Sequence, residues 1–137
     1  MKKIRFCVGT NDGENIADTH MGDTKYFHIF DLFENSESIF IGERKNTVRN
    51  MDHANTGKMK TIIAVVRDAD ILVARKKSPN FVKIAKFTEY QPVIVSAVSI
   101  SDIQEELHQA FGDIYSLVQK RKSGETFDTV FTTGNQR

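Results

Sequence analysis

The sequence predicts an α/β domain: a five-stranded mixed sheet in the order 3-2-1-4-5, with helices on both faces. Three observations carry this. Ile4, Phe6 and Val8 alternate with Arg5, Cys7 and Gly9, the period of two that marks a strand. Ile71 to Ala74 is a short, continuous apolar run of the kind found in buried parallel strands. Ser78-Pro79 follows at once and reads as a helix start, with serine at the N-cap and proline in the first turn.

The elements follow in order. Strand one spans Ile4 to Thr10 and stops at Asn11-Asp12-Gly13. Aromatic-rich Tyr26 to Phe33 is strand two, Asn35-Ser36 is a turn, and Ser38 to Gly42 is a short strand three. Runs so close together are antiparallel neighbours. After the polar stretch Glu43 to Thr56, Met59, Ile62, Ile63 and Val66 lie at helical spacing, so Gly57 to Arg67 is helix one. Its β-branched residues favour a strand, but the parallel strand Ile71 to Ala74 needs a crossover before it. Helix two presents Phe81, Ile84, Ala85 and Thr88 on one face, and Pro92 to Val95 is strand five. Ser101-Asp102-Ile103-Gln104 reads as a capping box for helix three, whose stripe is Ile103, Leu107, Ala110, Ile114 and Leu117 or Val118. Residues 1–121 form the domain. Residues 122–137 are polar and read as a flexible tail, with Thr126 to Thr132 as the one stretch able to add an edge strand.

The totals bound the function. A chain of 137 residues, 39% apolar, fits one domain with a real core. No apolar run approaches the roughly 20 residues of a membrane span, and the N-terminus lacks the pattern of a secretory signal. The cytoplasm is the expected compartment. One cysteine excludes an internal disulfide framework and a zinc site built on several thiolates. Net charge is +1, but residues 42–86 hold 11 Lys or Arg against four Asp or Glu, while the rest holds 8 against 14. A basic middle is a solvated surface or an anion site; its position in the fold decides which.

The predicted topology places four loops on one edge of the sheet: Asn11 to Lys25, Glu43 to Thr56, Arg75 to Ser78 and Ser96 to Ile100. Chain order reverses between strands one and four, and ligands bind beside such a switch point. His20, Met21 and Gly22 lie in the first loop, His53 in the second, and Arg75, Lys76, Lys77 and Ser78 in the third, ahead of a helix N-terminus that favours anions. Gly22 lets a guest approach closely. Asp12, Asp18 and Asp23 read as turn formers, Cys7 as a small buried residue that could also lend a thiolate, His28 as a packing histidine and His108 as facing water. The sequence holds no P-loop, G-x-G-x-x-G, nucleophile elbow or H-E-x-x-H.

The stretches IRFCVGTNDGENIADTHMGDTKYFHIFDL, RDADILVA and YQPVIV, with the helix after the last, resemble the nitrogenase iron–molybdenum cofactor-binding domain family, which includes NifX-type and NafY-type carriers, NifB C-terminal domains and small proteins of anaerobes. The resemblance spans roughly residues 3 to 118, and its most specific piece is His20-Met21-Gly22 followed by an aromatic strand ending in Asp31. It implies a ribonuclease-H-like fold and a non-catalytic carrier of an anionic metal–sulfur cluster, iron–molybdenum cofactor-like or built on molybdenum, copper and iron. His20 and His53 would then be metal contacts, and the partners would be cluster donors or recipients rather than nucleic acid or membrane. Two features depart from the family pattern: Met21 replaces phenylalanine, and Arg75-Lys76-Lys77-Ser78 replaces a glycine-rich turn. The competing reading is an adaptor of the same fold that binds no metal. A Mg²⁺-dependent nuclease would need clustered carboxylates, and Phe6-Cys7-Val8 and helix one offer none.

Overall fold

The computed structural model describes residues 1–48 and 56–133. Its strands are β1 (Lys3–Thr10), β2 (Tyr26–Phe33), β3 (Ser38–Lys45), β4 (Ile71–Ala74), β5 (Gln91–Ile94) and β6 (Phe131–Thr132). Its α-helices are α1 (Thr56–Val65), α2 (Pro79–Phe87), α3 (Ile100–Gln109) and α4 (Phe111–Lys122), and a 3₁₀ turn covers Met21–Asp23. The strands form one sheet ordered β3-β2-β1-β4-β5-β6. The β1–β2 and β2–β3 pairs are antiparallel; the β1–β4, β4–β5 and β5–β6 pairs are parallel. The expected mixed sheet 3-2-1-4-5 is therefore present, extended by one strand.

The period-two pattern of β1 sorts its side chains onto two cores. Ile4, Phe6 and Val8 join Phe30, Val73 and Val93 under Ile103 and Leu107 of α3 and Ile114 and Val118 of α4. Phe6 and Phe30 stack with ring centroids 5.0 Å apart. Cys7, Phe27, Ile29 and Leu72 face the other way, against Ile62 of α1 and Phe81 and Ile84 of α2. Helices thus cover both faces.

Several boundaries differ from the sequence reading. β3 runs on to Lys45, with a register shift between Ile29 and Phe30 that leaves Ile41 without a partner in β2. The capping serine of α3 is Ser99, whose hydroxyl accepts the Asp102 N–H at 3.0 Å; Ser101 lies inside the helix. Ile100 is buried and its N–H reaches Glu14 O at 2.9 Å, which fixes the start two residues earlier than the capping box at Ser101. The single long helix is two, broken at Ala110, so that Phe111 is buried beside Tyr115.

Within segment 122–137, read as a flexible tail, Phe131–Thr132 pairs with β5 as the added edge strand. Buried Arg121 braces it. Its guanidinium donates to Gln91 Oε1 at 2.7 Å, to the carbonyls of Ala85, Thr88 and Phe127, and lies 4.1 Å from the Phe127 ring centroid. Glu106 of α3 accepts the N–H groups of Ser96 and Ala97 and the Thr133 hydroxyl. No helix among the described residues is long and apolar enough to cross a membrane.

Candidate functional site

Parallel pairing of β1 with β4 brings the loop after β1 next to the turn after β4. Between them lies a cleft of about 180 Å³. Its walls come from the loop after β1 (Ala17 to Gly22), the first turns of α1 (Lys58, Ile62, Ile63), the end of β4 with Arg75 and Lys76, and the start of α2 (Ser78, Asn80, Phe81, Ile84).

The His20 loop is held from several sides. Thr10 and Ile16 form an isolated bridge, and Ile16 N–H donates to Val98 O at 2.9 Å. Asp12 accepts the N–H groups of Glu14 and Asn15 at 2.9 and 2.8 Å, which hold its carboxyl down at about 2. The 3₁₀ turn follows, with Asp23 N–H bonded to His20 O at 2.9 Å. The Thr24 hydroxyl lies 3.0 Å from Met21 O and 3.1 Å from Tyr26 O. Buried Asn46, just past β3, donates its amide to Gly22 O and Thr24 O at 2.9 and 2.8 Å. The carbonyls of His20, Met21, Gly22 and Thr24 are thereby engaged, and the exposed His20 stands on a fixed platform.

Glycine has two separate roles here. At Gly9 an added Cβ would lie 2.8 Å from Thr24 Cγ2 and Oγ1, so only glycine lets the turn sit down on β1. At Gly22 an added Cβ would meet Ile62 Cδ1 at 3.2 Å and Lys58 Cε at 3.3 Å. Glycine at this position therefore makes room for the side chains of α1, and Gly22 still lines the cleft.

Of the eight predicted site residues, six line this cleft: His20, Met21, Gly22, Arg75, Lys76 and Ser78. Met21 packs into the core beside Phe27 and Phe81. Exposed Lys77 is not part of the wall. His53 lies outside the described residues. Ser78 Oγ accepts the Phe81 N–H at 3.2 Å, capping α2 as the sequence suggests. Arg75, Lys76 and Lys77 form no ion pair among the described residues, and their charges face water at the rim.

The sequence reading missed Lys58. Its side chain is only 4% exposed, and Nζ lies 2.7 Å from Asp23 Oδ1. Asp23 is thus the partner of a buried cation as well as a turn residue. Local sequence carries no sign of this, because a lysine in a first helical turn reads as solvated. The wall holds Lys58, Arg75 and Lys76 against one carboxylate, Asp18.

Other candidates fall away from the cleft. Cys7 is fully buried among apolar neighbours, and burial pushes its thiol up, so it lends no thiolate. His28 is a packing histidine whose Nε2 meets Glu43 Oε1 at 2.8 Å. His108 is half-buried rather than fully in water, and bonds Glu34 O at 3.0 Å. Asp70 sits at the opposite end of β4, where it accepts the Arg5 N–H at 2.9 Å. Among the described residues no three His, Cys, Asp or Glu side chains gather as a metal-ion site. The cleft instead offers one imidazole, a set of cations and a helix start.

A family model described as dinitrogenase iron-molybdenum cofactor matches residues 2–112. The chain belongs to that family. The match covers the cleft and both cores up to the beginning of α4. Membership associates the protein with the binding or biosynthesis of iron–molybdenum cofactor and with the proteins of that process. No curated protein matches the chain.

Proposed function

We propose that this family member carries an anionic metal–sulfur cluster without transforming it, receiving it from a donor and passing it to a recipient in the cytoplasm. One observation carries the reading: exposed His20, the Arg75-Lys76 pair and the N-terminus of α2 meet in one cleft at the switch point of the sheet. An imidazole nitrogen suits iron, molybdenum or copper. The cations and helix start offset the charge of a cluster, and the apolar wall of Ile62, Phe81 and Ile84 excludes water from one side of it. Met21, Gly22 and Ser78 shape the site, Lys77 adds to the field around it, and His53 is a second candidate ligand. A single imidazole does not saturate a cluster, which leaves positions open for the protein that gives or takes it.

Anaerobic reconstitution tests this. The wild type should take up metal and sulfide together, with visible absorption. His20→Ala should lose most of the load, and reversing the charges at Arg75 and Lys76 should weaken uptake with the fold intact. Equal loading of His20→Ala removes that ligand from the assignment. Wild-type protein that stays free of metal and sulfide under every condition sinks the carrier reading and favours the adaptor. One observation already supports an adaptor surface: Ile39, Phe40 and Ile41 are exposed on terminal strand β3.

A further inference from the structure

Resting on the carrier reading, we propose that Lys58 makes the cleft select anions over cations, and that Asp23 tempers that selection from behind. Lysine is almost never buried unless paired, and here the side chain is 4% exposed. The pairing is lopsided in position. Lys58 lines the cleft, whereas Asp23, 2.7 Å from Nζ, is absent from its wall. The ammonium also lies against the His20 turn, 3.9 Å from where a side chain on Gly22 would begin.

Position decides how much each cation matters. Arg75 and Lys76 are exposed at the rim, where salt screens them and their side chains are free to swing away. Lys58 is fixed in a wall of low polarisability, where a charge acts more strongly on its neighbours and is screened less. A guest in the cleft meets Lys58 whatever the rim does. An anionic cluster gains from it, and a bare metal cation is repelled. The carboxylate of Asp23 cancels part of that field, which keeps the hold on an anion weak enough for release.

The two members of the pair therefore have opposite effects on anion affinity, whereas a merely structural ion pair gives losses of the same sign from either side. The test titrates the full-length apo protein with tetrathiomolybdate, a compact metal–sulfur dianion, and with Zn²⁺ as the cationic control. Lys58→Met should bind the dianion about tenfold more weakly, and the defect should persist at about 0.5 M salt, where the Debye length falls well below 10 Å. Charge reversal at Arg75 and Lys76 should matter less as salt rises. Lys58→Arg should retain binding, and Asp23→Asn should tighten it several-fold. Zn²⁺ should follow the reverse order.

Wild-type affinity in folded Lys58→Met overturns the inference, as does weakening in Asp23→Asn. If Lys58→Met does not fold, Asp23→Asn decides alone: tighter binding supports the assignment, and equal or weaker binding overturns it. If the wild type binds no dianion, the anion selection assigned to the cleft is overturned, whereas the carrier reading stands or falls on the metal and sulfide uptake of the reconstitution described above.

Discussion

Replacing Gly9 with alanine puts a methyl group where Thr24 already stands. The new Cβ would lie 2.8 Å from both Thr24 Cγ2 and Oγ1, closer than such atoms approach. Thr24 has little room to retreat. It is fully buried, and its hydroxyl is held between the Met21 and Tyr26 carbonyls. Overpacking of this kind costs about 1–3 kcal/mol. Alanine also narrows the unfolded ensemble, which returns about 0.4–1 kcal/mol. The net loss should be roughly 1–2 kcal/mol, a fall in Tm of roughly 3–8 °C for a chain of this size.

Urea denaturation of a double-mutant cycle locates the cause. Thr24→Ala alone should cost roughly 1–2 kcal/mol through its lost hydroxyl bonds and methyl packing. If the clash is the reason for Gly9, the double variant should cost less than the two singles together by more than about 0.5 kcal/mol. Additive losses, or a Gly9→Ala protein as stable as wild type, would refute the reasoning. Because Thr24 anchors Met21, the same substitution should also disturb the platform under His20, visible as shifted imidazole resonances.

Arg121→Ala should cost roughly 2–4 kcal/mol in urea melts, since it strips donors from two buried acceptors, Gln91 Oε1 and Ala85 O, and from two part-buried ones, Thr88 O and Phe127 O. Arg121→Lys should recover only part, because an ammonium lacks the planar fork; full recovery would refute the role of the fork. The pH profile should slope downward on the acid side. The hydrogen bonds from Arg5 and Lys3 lower Asp31, and that from Arg44 lowers Asp68. Burial raises the Glu106 carboxyl, but bonds from Thr133, Ser96 and Ala97 outweigh it. Folded pKa values below the unfolded ones mean fewer bound protons in the native state, so this stability is complete above the unfolded carboxylate values near ~4 and drains as pH falls through the folded values. Glu106→Gln should flatten the acid limb, and an unchanged limb would discount that group.

Much of the sheet was legible because its signals are local. Alternation in Ile4 to Thr10, the apolar run at Ile71 to Ala74 and the Ser78-Pro79 start each point to one element, and their order dictates which loops share an edge. The rim residues His20, Arg75 and Lys76 could be grouped from topology alone. Lys58 and Asp23 could not, because their pairing depends on how α1 settles over Gly22, a contact between segments far apart in sequence. The break at Ala110 was hidden for another reason: Ile103, Leu107, Ala110 and Ile114 keep helical spacing straight through it. Nothing local marks Arg121 among the cations Lys120, Arg121 and Lys122 at the end of α4, since its acceptors are oxygens of Ala85, Thr88, Gln91 and Phe127. His53 was placed by loop position only.

Cleft-lining residues run from Gly9 to Ile84 along the chain, yet they meet only when Val8 registers with Val73. Neither half of the polypeptide contains a receptor by itself. Occupancy must then count against global unfolding and not merely local opening, adding RT ln(1 + [L]/Kd) to the work of pulling the halves apart. On the carrier reading, cargo in this position would act as a rivet, and a loaded protein should be harder to denature than the empty one.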